Sequence, residues 1–270
     1  MRGAVMKGKV FLIGAGPGDP ELLTVKALRV LGSADAVVHD ELVSPEVLAL
    51  IPASARVHNM GKFSGRKDAS QEEIHRLLVT HASEGLRVVR LAGGDPLIFG
   101  RVGEEMEALR STGIDFEVIP GVTTASAAAA STGIPLMDRR HASKLVFFSY
   151  QGPAEKHSAG ESDRALLDTT FVIHIETGKS EGLTAKLLEA GLPEKTACLL
   201  VSRPGARSER ILRTSLANLE TDLANVRQFS DPALLILGGV AGAVRPEREL
   251  QLRRETLLSL AEARTAVAAS

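Results

Sequence analysis

Charged side chains are closely spaced in the stretch VVRLAGGDPLIFGRVGEE, which covers residues 88–105. It begins with a β-branched run typical of a buried parallel strand and continues into two glycines that would let a ligand approach the backbone. Asp95 follows at the strand end where open α/β sheets bind ligands. Arg101 and Glu104 lie one helical turn apart with opposite charges. The stretch therefore predicts a ligand-binding loop, while a plain strand, turn and surface ion pair is the alternative.

Two further places offer charged groups for the same site. Asp40 follows a short predicted strand over 36–38, so its carboxylate lies on the ligand side of the sheet, with a turn or helix-capping role as the alternative. Lys62, Arg66 and Lys67 make a flexible basic loop between glycines. This loop is either a clamp for an anion or ordinary solvated charge.

The elements that position these residues alternate along the chain. Apolar spacing predicts strands and helices in turn up to residue 136, which indicates an α/β domain with a mainly parallel sheet. From residue 143 a second set of apolar runs predicts the strands and helices of another domain. We therefore predict an N-terminal α/β domain over 8–136, a C-terminal α/β domain over 137–245 and a helical tail over 246–270.

The first predicted strand, residues 9–13, runs into the glycine-rich segment GAGPGDP. Its glycines invite comparison with the dinucleotide-binding fingerprint, but prolines interrupt the place where the phosphate-binding helix should begin. The segment is therefore a weak signal by itself. It predicts a loop that needs glycine next to a ligand or another loop, followed by a helix over 21–31.

Composition and charge argue against nucleic acid and membrane as partners. The 270 residues include 32 lysines and arginines and 33 aspartates and glutamates, a formal net charge of −1, so any anion site must be a local cluster. Aromatic residues make up 3% of the chain, which argues against binding of single-stranded nucleic acid. No long apolar segment precedes the first strand, so we expect a cytoplasmic protein with no membrane contact. The single cysteine, Cys198, lies in an apolar run and is expected in the core.

Five segments together resemble, in order and spacing, the tetrapyrrole methylase family. The resemblance covers about residues 9–244 and is most specific in the first and third of the segments GAGPGDPELLTVKAL, HDELVS, RLAGGDPLIFGRVGEE, PGVTTASAAAASTGIPL and SDPALLILGGV. The arginine and glutamates after GGDPLIFG make it most similar to the uroporphyrinogen-III C-methyltransferases of that family. The family has two α/β domains with the active site in the cleft between them, and the resemblance implies that fold and a homodimer.

The same resemblance implies an activity and a set of site residues. The activity is methylation of uroporphyrinogen III on two adjacent pyrrole rings to give precorrin-2, with S-adenosyl-L-methionine as methyl donor and no metal. Asp40 and Lys62 match the family's acid–base pair, and Arg101, which we interpret as an electrostatic clamp, is a third catalytic candidate. Arg101, Glu104, Arg139 and Arg66 would bind the substrate, with the three arginines holding its carboxylates. The donor would be held by Pro17, Gly93, Gly94, Asp95, Ile98, Thr123, Thr124 and Ile175.

Some positions depart from the family pattern. Ala92 stands where lysine is usual, and residues 149–151 and 174–176 differ from the family's second-domain motifs. Two alternatives therefore stay open. One is a catalytically weak relative that binds S-adenosylmethionine or a tetrapyrrole as a sensor, and the other is a methylase of a different acidic tetrapyrrole.

Overall fold

The computed structural model describes residues 7–61, 71–150, 166–175, 181–225 and 233–243. The chain divides into two compact units, the first comprising Met1–Thr124 with Gly205–Arg207 and the second comprising the remainder. This division lies N-terminal to the predicted one at residue 136. The helix after residue 124 follows the strand–helix alternation of the first domain, but its contacts assign it to the second unit. The predicted tail over 246–270 lies outside the described residues.

The first unit contains a sheet of five parallel strands in the order β3-β2-β4-β1-β5. The strands are β1 Lys9–Gly14, β2 Ala36–His39, β3 Arg56–Asn59, β4 Arg87–Ala92 and β5 Asp115–Ile119. The prediction of a parallel α/β domain is confirmed. The sequence pattern missed β3, because this strand is four residues long, lies at the sheet edge and is mostly exposed.

Helices cover both faces of this sheet. They are α1 Val25–Leu31, α2 Pro45–Leu48, α3 Gln71–Ser83 and α4 Val102–Ser111. One apolar cluster includes Leu31 and Val47, from α1 and α2, and the other includes Leu78 and Leu109, from α3 and α4. Alternate residues of the strands enter the two clusters, so the sheet is buried on both sides as a parallel sheet requires.

Helix α1 begins later than the pattern predicts. Residues Pro20–Leu22 form a 3₁₀ turn, and the α-helix starts after Thr24, whose hydroxyl accepts the Ala27 N–H at 3.1 Å. Threonine is a favoured N-cap because its side chain satisfies an otherwise unpaired amide of the first turn. The cap therefore sets the length of the loop between β1 and α1.

The second unit has a mixed sheet in the order β6-β7-β10-β8-β9. Strands β6 and β7 are parallel and the other neighbours are antiparallel. The elements are α5 Thr124–Thr132, β6 Lys144–Tyr150, β7 Thr169–Ile175, α6 Leu183–Glu189, β8 Ala197–Ser202, β9 Arg210–Ser215, α7 Leu219–Asn225 and β10 Ala233–Leu237.

Cys198 of β8 is fully buried in the apolar core of the second unit, as predicted. Burial raises the pKa of its thiol to about 12. In the described parts of the chain, no helix combines the length and apolar character that crossing a membrane demands.

The strand register brings several loops of the first unit to one edge. Gly14 at the end of β1 pairs with Ala92 at the end of β4, and His39 at the end of β2 pairs with Leu91. Since all five strands are parallel, the loops that follow them open at the same side of the sheet. This is the edge at which α/β sheets bind ligands.

Candidate functional site

Backbone contacts hold together the loops that follow β1, β4 and β5. Gly16 and Gly94 exchange two hydrogen bonds, with the Gly16 N–H 3.1 Å from the Gly94 carbonyl and the Gly94 N–H 2.7 Å from the Gly16 carbonyl. A Cβ on Gly14 would lie 2.6 Å from the Gly94 carbonyl oxygen and 2.6 Å from the Gly121 nitrogen. Gly94 also has a φ of +66°, which side-chain-bearing residues rarely adopt. Only glycines therefore allow these loops to pack backbone against backbone.

Asp95 fixes the β4 loop in two directions. Its Oδ1 accepts the Leu97 N–H at 2.8 Å, and its Oδ2 accepts the Gly121 N–H at 3.1 Å. The carboxylate thus joins the loop after β4 to the loop after β5. Asp95 is a loop-positioning residue in this structure, and its predicted contact with the methyl donor stays a prediction.

Exposed apolar side chains surround the glycine loop. Leu97 and Ile98 follow Asp95, and a Cβ on Gly93 would lie 3.6 Å from the Cβ of the exposed Leu42. A Cβ on Gly94 would lie 3.5 Å from Cγ2 of Thr124, the last residue of the first unit before residue 125, so the loop also lies close to Thr124. Backbone groups beside exposed apolar side chains suit a ligand with one flat apolar part and one polar part.

Asp40 lies at the end of β2 and pairs with an arginine that the sequence interpretation did not single out. Its Oδ1 accepts a hydrogen bond from Nη2 of Arg90 at 2.6 Å. Nε of Arg90 donates to Oε1 of Glu105 at 2.9 Å, and Nη1 donates to the Leu91 carbonyl at 3.1 Å. Arg90 is 6% exposed and Glu105 4% exposed. The signal for this pair is an arginine inside an otherwise apolar strand, because such a residue must find a buried partner.

The charges around Arg90 balance its burial. Burial by itself lowers the pKa of the Arg90 guanidinium, but the negative charges of Asp40 and Glu105 raise the pKa above its ordinary value. The guanidinium therefore stays protonated, and the three groups together carry one net negative charge when both carboxylates are ionised.

These groups border a pocket of about 230 Å³ within the first unit. Asp40, Arg90 and Glu105 line it, together with Arg101 from the loop before α4 and Gln71 from the start of α3. Two of the three predicted catalytic residues, Asp40 and Arg101, therefore share one pocket. Lys62, the third, lies outside the described residues, as does Arg66 of the same basic loop.

Arg101 and Glu104 form the ion pair that their spacing predicts. Nε and Nη2 of Arg101 donate to Oε1 and Oε2 of Glu104 at 2.9 and 2.7 Å. Both side chains are more than half exposed, so solvent screens the pair. The preceding backbone is tightly turned, since Phe99 has a φ of 64° and a Cβ on Gly100 would lie 2.5 Å from the Pro96 carbonyl oxygen. This turn places the guanidinium at the pocket.

The remaining predicted residues are spread over both units. Pro17 and Thr123, in the first unit, lie half-buried in the loops after β1 and β5. Arg139 and Ile175 belong to the second unit, where Arg139 is exposed and Ile175 is buried at the end of β7. Their roles stay predictions. Within the described ranges, no group of three or more histidine, cysteine, aspartate and glutamate side chains is arranged to hold a metal ion.

Comparison with known proteins places this site in a family context. The model of the family described as Tetrapyrrole (Corrin/Porphyrin) Methylases matches residues 9–220. The chloroplastic S-adenosyl-L-methionine-dependent uroporphyrinogen III methyltransferase of Arabidopsis thaliana is 44% identical over 236 residues, which are 86% of this chain and 63% of that protein. A sirohaem synthase of Nitrosococcus oceani is 42% identical over 87% of this chain and 50% of its own length. The chain thus spans half to less than two thirds of these relatives.

A solved structure gives fuller coverage. Uroporphyrin-III C-methyl transferase from Thermus thermophilus, crystallised with S-adenyl homocysteine, is 39% identical and superposes with a TM-score of 0.72 over 86% of this chain and 98% of that one. The resemblance inferred from the five sequence segments is confirmed. The family model and this fold together show that the chain belongs to the tetrapyrrole (corrin/porphyrin) methylases.

Proposed function

We propose that the protein transfers methyl groups from S-adenosyl-L-methionine to two adjacent pyrrole rings of uroporphyrinogen III and so makes precorrin-2, the precursor of sirohaem and cobalamin. The observation that carries the proposal is the pocket of the first unit, which Asp40 and Arg101 line together with Ala92 and Pro96 from the loop that contains Gly93 and Gly94. The likeness to the Thermus enzyme along nearly all of that enzyme's length supports the choice of substrate and donor.

The loops after β1, β4 and β5 are the proposed donor site. S-adenosyl-L-methionine supplies an electrophilic methyl group on a sulfonium sulfur. The residues present fit such a donor, because Leu42, Leu97 and Ile98 offer exposed apolar surface for a flat base. The nearby loop backbone offers polar groups for the ribose and the amino acid end. In the first unit we assign donor contacts to Pro17, Gly93, Gly94, Asp95, Ile98, Thr123 and Thr124.

The methyl transfer itself asks little covalent chemistry of the protein. A pyrrole carbon of the electron-rich macrocycle forms a bond to the methyl carbon while the carbon–sulfur bond breaks, and S-adenosylhomocysteine leaves. Alignment of the two reactants supplies most of the rate. Arg101 holds a carboxylate of the substrate through its fork of N–H donors. The substrate carboxylate replaces that of Glu104 as the partner of Arg101.

Methylation leaves a positive charge on the macrocycle, which is neutralised when the macrocycle loses a proton. A proton then leaves the macrocycle, and Asp40 is the proposed base, because its carboxylate is 37% exposed and borders the pocket. Lys62 is the proposed acid partner on the resemblance alone. Arg90 cannot act as the base, since its guanidinium stays protonated.

The proposal is tested by incubating the purified protein with S-adenosyl-L-methionine and uroporphyrinogen III generated under anaerobic conditions. We expect the absorbance of the dimethylated product to appear with wild-type protein and to be strongly reduced with Asp40→Asn. Tight donor binding without any product would favour the sensor alternative. Product from a different acidic tetrapyrrole only would favour the other alternative.

Two further properties remain proposals, the homodimer that the resemblance implies and the cytoplasmic location that the sequence leads us to expect. We propose a homodimer that works in the cytoplasm. Sedimentation velocity on the purified full chain tests the first, and fractionation of the source cells followed by immunoblotting tests the second. A monomer at micromolar concentration, or recovery in a membrane fraction, would contradict them.

A further inference from the structure

A buried arginine in the first unit is shared between two carboxylates from different elements. Arg90 on β4 contacts Asp40 after β2 at 2.6 Å and Glu105 on α4 at 2.9 Å. A buried guanidinium needs one carboxylate for neutrality, and removing its only partner would be strongly destabilising. Since Glu105 already supplies that neutrality from a fully buried position, Asp40 is not required to hold Arg90 in the fold.

Glu105 is itself held firmly. Its Oε1 accepts from Arg90 and also from the Gln71 side-chain amide at 3.3 Å, whose nitrogen lies 3.2 Å from Nε2 of His75. Helices α3 and α4 and strand β4 therefore meet at this carboxylate. The arrangement fixes which edge of Arg90 faces Glu105 and leaves Nη2 for Asp40.

Asp40 keeps one carboxylate oxygen for chemistry. Its Oδ1 takes the Arg90 bond, while Oδ2 receives no hydrogen bond from any residue in the described part of the chain. The charged or titratable groups around Asp40 there are Arg90 on β4, Arg101 in the loop before α4, Glu105 on α4 and the chain neighbours His39 and Glu41, while His75 on α3 contacts Gln71. Of these, Glu105 is the one whose negative charge directly offsets Arg90.

We propose that Glu105 is a positioning residue that sets the basicity of Asp40 through Arg90. With Glu105 ionised, the positive charge of Arg90 is divided between two carboxylates, so Asp40 feels only part of that charge. With Glu105 neutral, the whole charge of Arg90 acts on Asp40 and makes it a weaker base. The inference rests on the proposed function only in taking Asp40 as the proton acceptor.

The test uses Glu105→Gln, which keeps the shape and an oxygen acceptor for Arg90 but removes the charge. We expect the acid limb of the pH profile of kcat to move to lower pH by about 0.5–1 unit, because an opposite charge beside a carboxylate lowers the pKa of that carboxylate by at least this amount. We also expect the plateau rate to fall, because a weaker base removes the proton more slowly. The Michaelis constant for the donor should stay near the wild-type value. Glu107→Gln is the matched control, because it makes the same change on an exposed position of α4.

Two further readouts separate a role in basicity from a role in folding. Glu105→Asp keeps the charge, so its acid limb should stay at the wild-type pH even if its rate falls. The carboxyl carbon of Asp40, followed by NMR in protein without ligands, should titrate at lower pH in Glu105→Gln than in wild type. A lower rate with unmoved profiles, or an equal shift in Glu105→Asp, would overturn the inference. Absence of methylated product from wild type would overturn the proposed function instead, and the NMR titration would still decide the role of Glu105.

Discussion

Arg101 is placed to recognise a carboxylate, because its guanidinium already holds one in the form of Glu104. Both hydrogen bonds of the fork are made, at 2.9 and 2.7 Å, and both side chains remain open to solvent. A charged ligand that enters the pocket can therefore take over this geometry without rearranging the backbone. The ion pair is a preformed contact rather than a source of stability, since exposed pairs contribute about 0–1 kcal/mol.

This predicts a division of labour that steady-state kinetics can measure. Arg101→Ala should lower kcat/KM for the tetrapyrrole by about 10–100-fold, the usual effect of losing a charge-assisted contact, while the Kd of S-adenosyl-L-methionine stays within about twofold. Arg101→Lys keeps the charge without the fork and should lie between the two proteins. An equal loss of donor binding in Arg101→Ala would refute the placement of Arg101 on the substrate.

Gly94 gives the complementary prediction for the donor. Valine there would force a side chain into a backbone with a φ of +66° and against Thr124, so Gly94→Val should weaken donor binding at least tenfold by calorimetry. Gly103→Ala is the control, because a Cβ at this helical position meets nothing within 4 Å. If Gly94→Val bound the donor like wild type, the loop would not be the donor site.

At the residue scale, the sequence predicted exposed pairs better than buried ones. The Arg101–Glu104 pair was predicted from helical spacing alone, and the observed ion pair confirms it. The Arg90–Glu105 pair joins positions fifteen apart on a strand and a helix, and only the packing of α4 on the sheet brings them together. Arginine within VVRLA indicates that some buried partner exists but not which one.

At the scale of elements, β3 and α3 meet through two histidines. Nε2 of His58 lies 2.9 Å from Nε2 of His81, so one ring donates and the other accepts. Burial lowers the pKa of His58, and the charges of His81 and Arg56 lower it further. This contact joins the four-residue edge strand β3 to helix α3.

Acid should therefore weaken the first unit. The unfolded chain protonates His58 near the ordinary pKa of about 6.5, whereas the folded protein does so only at lower pH, so the unfolded state binds more protons as the pH falls. The free energy of unfolding should drop more steeply between about pH 7 and about pH 5 in wild type than in His58→Gln, measured by urea titration. Asn59→Ser, on the same strand, should lower stability without changing this slope. Equal slopes in wild type and His58→Gln would contradict the assignment.

The elements themselves were predictable to different degrees. Apolar runs such as those of β1, β4 and β10 are buried on both faces and stand out in the sequence. Strand β3, Arg56–Asn59, has a polar sequence that is typical of a turn. Its pairing with β2 is what identifies it as a strand. Helix α1 begins after Thr24 and not at Glu21, because the Thr24 cap outweighed the apolar spacing that begins at Leu22.

At the scale of the whole molecule, the sequence predicts two α/β domains and the structure has two compact units. The boundary between the units lies at residue 124 and not at 136, because the contacts of the helix after residue 124 assign it to the second unit. The five sequence segments were sufficient to identify the family, since their order and spacing are specific in combination. The close backbone contacts among Gly14, Gly94 and Gly121 explain why three of these segments have glycine at those positions. The convergence of three loops, however, is visible only once the sheet order is known.

Methyl transfer to carbon is proposed to take place in the pocket that Asp40 and Arg101 line. The most direct measurement is a reaction of anaerobic uroporphyrinogen III with protein and methyl-labelled S-adenosyl-L-methionine, both in excess over the macrocycle, followed by mass spectrometry of the macrocycle. We predict two labelled methyl groups on the wild-type product, on adjacent rings, and a rate at least 100-fold lower with Asp40→Asn, in the range typical of removing a general base. A macrocycle without label, recovered from protein that binds the donor tightly, would contradict the claim.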